Sequence, residues 1–258
     1  MKTLVHCWKN TRGYGDFVAS TMMLSSLFPD YDVTWALPPG RDICKVLRQP
    51  QCELYRNDLD CRFLSLAAHG EEANRKGKDE FCAYVHKSHK ETIFCDFRYK
   101  GLKGVDQKFK AMLEFEPSLA EKVKNDIRKQ FGNAYAVIHV RVGDNAMKGR
   151  AVDCSAFVAK IERYTQASDI PVVLISDDMR LKNTMRSRMP VSDAMPFHSG
   201  NVKGDAHSFM LDVCIIQNAV RVFALSTHAW HNTSFSRIPA LLAGIPYECR
   251  GMMPPNQR

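Results

Sequence analysis

No stretch of the 258 residues approaches the roughly eighteen consecutive apolar residues that a membrane-spanning helix needs. The opening "MKTLVHCWKNTRGYGD" places one lysine, Lys2, ahead of a short apolar run, Thr3–Trp8, which falls short of a secretory leader. The expectation is a soluble, cytoplasmic protein. Nine cysteines are scattered along the chain and no two form a C-x-x-C pair, so a disulfide framework and a zinc knuckle both lack support. Reduced, mostly buried thiols are expected, and the formal sequon Asn232-Thr233-Ser234 should carry no glycan. His228 and His231 have one metal-like spacing without an evident third ligand, so no metal is expected. Gly13-Tyr14-Gly15 lacks the third glycine and downstream acid of a dinucleotide fingerprint, which argues against NAD. No internal repeat is visible.

What is present is an ordinary globular composition, 45% hydrophobic, long enough for one large α/β domain or two small ones sharing a cleft. The formal net charge of +8 favours an anionic partner without saying which.

Hydrophobic spacing predicts a βαβ opening. Thr3–Trp8 is a strand, Asn10–Asp16 a glycine-bearing loop, Phe17–Phe28 a helix stopped by Pro29, and Val33–Leu37 a second strand. A short helix is expected at Ile43–Leu47. The polar stretch Gly70–Glu80 reads as a surface loop, followed by strands near Ala83–Val85 and Thr92–Phe97. Helical spacing at Gln107–Phe115 and Leu119–Phe131 then leads to a second series. Its strands are Ala136–Val140, Val172–Ile175 and Val220–Leu225, with helices near Ser155–Thr165, Arg180–Met189, Ser208–Gln217 and Phe235–Ala243. The expectation is an α/β fold of two Rossmann-like domains facing a cleft, residues 1–132 and 133–258. In open α/β sheets ligands sit at the carboxyl ends of the strands.

Three stretches place polar groups at such ends. "AYAVIHVRVGDN" (Ala134–Asn145) turns from a buried strand to His139, Arg141, Asp144 and Asn145, with Lys148 and Arg150 following. A guanidinium there can grip a phosphate through two parallel hydrogen bonds; the alternative is a surface ion pair between Arg141 and Asp144. "VVLISDDMRL" (Val172–Leu181) ends in Asp177 and Asp178, which can bind a base edge or ribose, or cap a helix. "WHNTSFSRIPALLAG" (Trp230–Gly244) brings a polar loop, Asn232 to Ser236, to a helix start whose free N–H groups suit a pyrophosphate.

The order H-x-R-x-G-D, then S-D-D, then N-[ST]-S-F-S resembles the GDP-fucose-dependent fucosyltransferases, especially the α-1,2 type, with the α-1,6 and protein O-fucosyltransferases more distant. The resemblance covers roughly residues 134–246. It implies a GT-B fold, GDP-fucose as donor co-substrate, no metal or other cofactor, and inversion at the sugar carbon. It implies that Arg141 contacts the pyrophosphate, that His139 and an aspartate of Asp177-Asp178 help hold the guanosine, and that Ser234 and Ser236, flanking Phe235, line the phosphate pocket. Two positions depart from the family pattern. Val142 stands where the α-1,2 enzymes usually carry a second arginine, a loss that Lys148 or Arg150 could compensate, and Arg237 stands where a tryptophan is frequent.

The N-terminal half, "RGYGDFVASTMMLSSLFPDYDVTWAL" (Arg12–Leu37), places Gly13 and Gly15 where two chain segments approach closely. It resembles the start of the fucosyltransferases and also of the heptosyltransferases, in which a G-D pair opens the first helix and the aspartate is the catalytic base. That role would fall on Asp16; the alternative is a helix cap at Phe17. The acceptor is left open. The basic run Arg98, Lys100, Lys103, Lys108 and Lys110 suits a glycan or other anionic acceptor, or nucleic acid if the enzyme modified a hydroxymethylated base. A module that binds nucleotide-sugars without turnover is the remaining reading.

Overall fold

The computed structural model describes residues 1–9, 13–64, 70–98, 105–142, 154–195, 206–228 and 234–253. The chain divides into two compact units, Met1–Glu114 and Phe115–Arg258. The division precedes the change expected at residues 132–133, because the helix Pro117–Phe131 packs with the second unit, where Phe131 meets the Tyr135 ring.

The first unit holds β1 (Thr3–Cys7), α1 (Tyr14–Leu27), β2 (Asp32–Ala36), a 3-10 turn at Asp42–Lys45, β3 (Cys61–Leu64), α2 (Gly70–Lys87), β4 (Thr92–Arg98) and a 3-10 stretch at Gln107–Leu113. Its four strands are parallel in the order β2-β1-β4-β3. α1 starts at Tyr14, earlier than expected, and the Tyr14 hydroxyl donates to the Met112 carbonyl at 2.9 Å.

Two expectations fail here. Gly70–Glu80 is not a loop and Ala83–Val85 is not a strand: both belong to α2. Phe81 and Val85, one turn apart, are the buried positions, and Gly77 lies one turn earlier, against the Phe63 ring. So narrow an apolar stripe in a charged sequence still folds as a helix because tertiary contact, rather than propensity, supplies most helix stability.

The second unit contains α3 (Pro117–Phe131), β5 (Ala136–Arg141), α4 (Ser155–Gln166), β6 (Val172–Ser176), α5 (Met179–Met185), α6 (Ala206–Gln217), β7 (Arg221–His228), α7 (Ser234–Leu242) and β8 (Tyr247–Met253). Its strands are parallel in the order β6-β5-β7-β8. β5 and β6 are apolar along their length because a parallel sheet is covered on both faces. Their side chains form a core with Phe157 and Ile161 of α4 and Leu181 and Met185 of α5. α3 carries its own stop and start signals: the Glu116 side chain accepts from the Leu119 amide, Pro117 opens the first turn, and Gly132 leaves at φ 84°. Among the described residues no helix is long and apolar enough to cross a membrane. No disulfide joins any of the nine cysteines, of which three are buried and six half-buried.

Candidate functional site

In the second unit the chain runs from β5 to β6 on one side and later returns as β7 on the other. The crevice between β5 and β7 is therefore the topological switch point, the place where open α/β sheets take ligands. Arg141 on β5 and Ser226 on β7 stand in register across it.

Arg141 is about a quarter exposed and lies 3.2 Å from Asp177. The other Asp177 oxygen accepts the Val142 amide at 2.8 Å. Asp177 thus pins the end of β5 and orients the guanidinium. Asp177 is an ion-pair partner of Arg141; Asp144, the partner weighed from the sequence, lies outside the described residues, as do Lys148, Arg150 and Asn232. The neighbouring carboxylate has a different task. Asp178 is the N-cap of α5, accepting the Arg180 and Leu181 amides at 2.8 and 3.0 Å, and it pairs with the Arg180 guanidinium at 2.9 Å. Desolvation works against its charge, yet Arg180 and the capped amides prevail and hold the carboxyl below its ordinary value.

His139, buried on β5, meets the Ser236 hydroxyl at 2.8 Å through Nδ1, while its ring lies 5.5 Å from that of Phe235. Burial, and secondarily the Arg141 charge, push its pKa down to about 3. The imidazole is neutral at working pH, so it fixes the first turn of α7 without contributing charge or moving a proton. Ser236 is also 3.5 Å from the Tyr247 hydroxyl. Ser234, Phe235 and Ser236 form the first turn of α7, where backbone N–H groups have no partner within the helix.

In the first unit Asp16 is half-buried in the first turn of α1. It is not the cap, a position that Gly13 holds without a side-chain bond. Gly13 has φ −62° and ψ 148°, extended backbone open to any residue, and Gly15 lies within the helix. Arg141, Asp177, His139, Phe235 and Ser236 therefore gather in the second unit, Gly13, Gly15 and Asp16 in the first.

Sequence reasoning missed three members of these edges. Ser226 is buried at the switch point, Ser176 donates to the Val140 carbonyl at 3.0 Å, and Tyr247 on β8 reaches Ser236. A hydroxyl at the end of an apolar strand was the available signal for the serines. Further from the edge, Asp212 of α6 is buried, accepts from the Ser192 hydroxyl, and is pushed up to about 6 by burial, with the Lys182 charge and Ser192 opposing. Lys182 is also buried and donates to the Ala194 carbonyl. Among the described residues no three His, Cys, Asp or Glu side chains converge as a metal site.

No protein-family model matches the chain, and no curated protein matches its sequence. Solved structures match its fold. The fucosyltransferase NodZ from Bradyrhizobium is 13% identical with a TM-score of 0.57, covering 93% of this chain and 92% of that one. NodZ α-1,6-fucosyltransferase co-crystallised with GDP gives 13% and 0.56 over the same shares. POFUT1 in complex with GDP is 10% identical with a TM-score of 0.53, covering 97% of this chain and 98% of that one. The fold is α/β with two Rossmann-like units, of the GT-B type that these fucosyltransferases share.

Proposed function

We propose that the protein is a glycosyltransferase that takes a sugar, fucose by likeness, from a GDP-sugar and transfers it to a hydroxyl of a glycan acceptor, with inversion and without a metal. The observation that carries this reading is Arg141, held by Asp177 at the switch point of the second sheet, beside a first turn of α7 fixed by His139 and Ser236. It is supported by a fold shared with fucosyltransferases crystallised with GDP.

In this mechanism the second unit binds the nucleotide-sugar and the first takes the acceptor. The acceptor oxygen attacks the sugar carbon, the bond to the diphosphate breaks, and GDP leaves with the electron pair. Arg141 and the first-turn N–H groups of α7 stabilise the charge that grows on the leaving diphosphate. Asp16 takes the proton from the acceptor hydroxyl. Asp177 keeps the guanidinium in place, so its fork need not be ordered as the charge develops.

Calorimetric titration with GDP, UDP, ADP and TDP in the presence of EDTA tests the reading. Selective binding of GDP, lost in Arg141→Ala, supports it. Selectivity for another nucleotide removes GDP as the donor carrier, and binding of none of the four reduces Arg141 and Asp177 to an ion pair.

A further inference from the structure

The first unit holds a cavity, at the start of β3, that the donor chemistry leaves unused. It measures about 420 Å³ and is lined by Lys9, Asn57, Leu59, Cys61 and Arg62, within the range of small-ligand sites. Lys9 lies two residues beyond the end of β1, and Cys61 and Arg62 open β3, which is separated from β1 by β4 in the sheet.

Among the described residues of the lining, both charged side chains are cations. Lys9 is committed to the rim: its ammonium donates to the Tyr55 hydroxyl at 3.4 Å and to the Arg56 and Asn57 carbonyls at 2.7 and 3.1 Å. Arg62 is not spent in this way. Its Nε donates to the buried Asp96 at 3.2 Å, which fixes the plane of the guanidinium. Its terminal amino groups make no hydrogen bond to the described residues, and the side chain is half exposed. A guanidinium anchored through Nε offers two parallel donors to a pair of oxygens. Arg56, whose guanidinium lies 4.6 Å over the Phe94 ring, adds positive charge to the same region. The Asn57 Oδ1 accepts from Tyr55 at 3.2 Å, which leaves its amide NH₂ as a donor, and Leu59 supplies an apolar wall.

We propose that this cavity is an acceptor subsite for an oxyanion, a carboxylate, phosphate or sulfate carried by a saccharide. The proposal rests on reading the first unit as the acceptor side. Calorimetry on the full chain with glucuronate, glucose 6-phosphate, glucose 6-sulfate, glucose and inorganic phosphate tests it, with GDP titrated into the same samples. At least one of the acidic sugars should bind about tenfold or more tightly than glucose, and glucose 6-phosphate more tightly than inorganic phosphate. Arg62→Met should weaken acidic-sugar binding about tenfold or more and leave GDP affinity unchanged. Arg62→Lys keeps a cation beside Asp96 but loses the fork, and should bind at an intermediate level.

Equal binding of glucose and the acidic sugars overturns the proposal, as does binding of none of them. Equal binding of free phosphate and glucose 6-phosphate overturns its assignment to a saccharide. A folded Arg62→Met variant that binds as the wild type does also overturns it. If that variant fails to melt cooperatively, unchanged binding by Arg62→Lys has the same force. Loss of GDP binding with acidic-sugar binding intact counts against the donor reading alone; the reverse counts against the cavity alone.

Discussion

His139 Nδ1 and Ser236 Oγ lie 2.8 Å apart, joining β5 to the first turn of α7 across 97 residues of sequence. Both side chains are buried, so neither loses its partner without a cost. Ser236→Ala should destabilise the protein by about 1 to 3 kcal/mol in urea denaturation, and should weaken GDP binding by loosening the first turn of α7. The same contact predicts a pH dependence. With a folded-state pKa near 3 against 6.5 for an ordinary histidine, the unfolded chain takes up a proton that the folded one refuses. Stability therefore falls as pH drops from about 6.5 toward about 3. A His139→Gln variant should show a flatter curve across that window.

Asp212 acts in the opposite sense. Its carboxyl is raised from 3.8 to about 6, so the folded state keeps a proton that the unfolded state has released. That contribution is complete below about pH 4 and is lost as pH rises through about 6. Asp212→Asn should remove the loss, making the variant's stability change between pH 4 and 7 more favourable than the wild type's by about 2 to 3 kcal/mol. Parallel denaturation curves for wild type and variant would show the group to be silent.

Arg141 should matter more to turnover than to folding. Arg141→Ala should lower kcat with a GDP-sugar by about a hundredfold or more while the melting temperature changes little. Arg141→Lys should recover only part of the loss, because an ammonium cannot reproduce the two parallel hydrogen bonds. Turnover in Arg141→Ala within a few-fold of the wild type would remove it from the reaction.

Asp16 separates an enzyme from a module that only binds. Asp16→Asn keeps the shape and should leave GDP affinity unchanged while reducing transfer by about a hundredfold or more. Because Gly13 and not Asp16 holds the cap position of α1, loss of the carboxylate should cost little stability, about 1 kcal/mol at most from its place in the first turn. Full transfer by the variant would require another base.

Much of the second unit was legible in advance. Ala136–Val140, Val172–Ile175 and Val220–Leu225 are apolar runs of strand length, and all three are strands of one parallel sheet. "SDD" could be read as a cap or as a ligand site; Asp178 caps α5, and Asp177 pairs with Arg141. Successive residues at a strand end point different ways, so composition could not assign those tasks. β3 escaped notice because four residues with one buried side chain, Phe63, make no period. β8 was missed although Tyr247, Cys249 and Gly251 alternate with the exposed Glu248 and Arg250, as an edge strand should.

Local chemistry settled what could be settled within a few residues. Apolar runs become strands, Pro29 follows the end of α1, Glu116 and Pro117 begin α3, and a polar cluster marks the carboxyl end of β5. The tertiary structure decided everything that needed a distant partner. It made a helix of Gly70–Lys87 by setting Gly77 against Phe63, set Asp177 beside Arg141, and neutralised His139 by burying it beside Ser236. It also fixed Arg62 on Asp96 and so left the rest of its guanidinium available. The reason is physical: propensity and capping act over one or two turns, whereas burial, charge pairing and the direction of a side chain are set by groups that only the folded chain brings together.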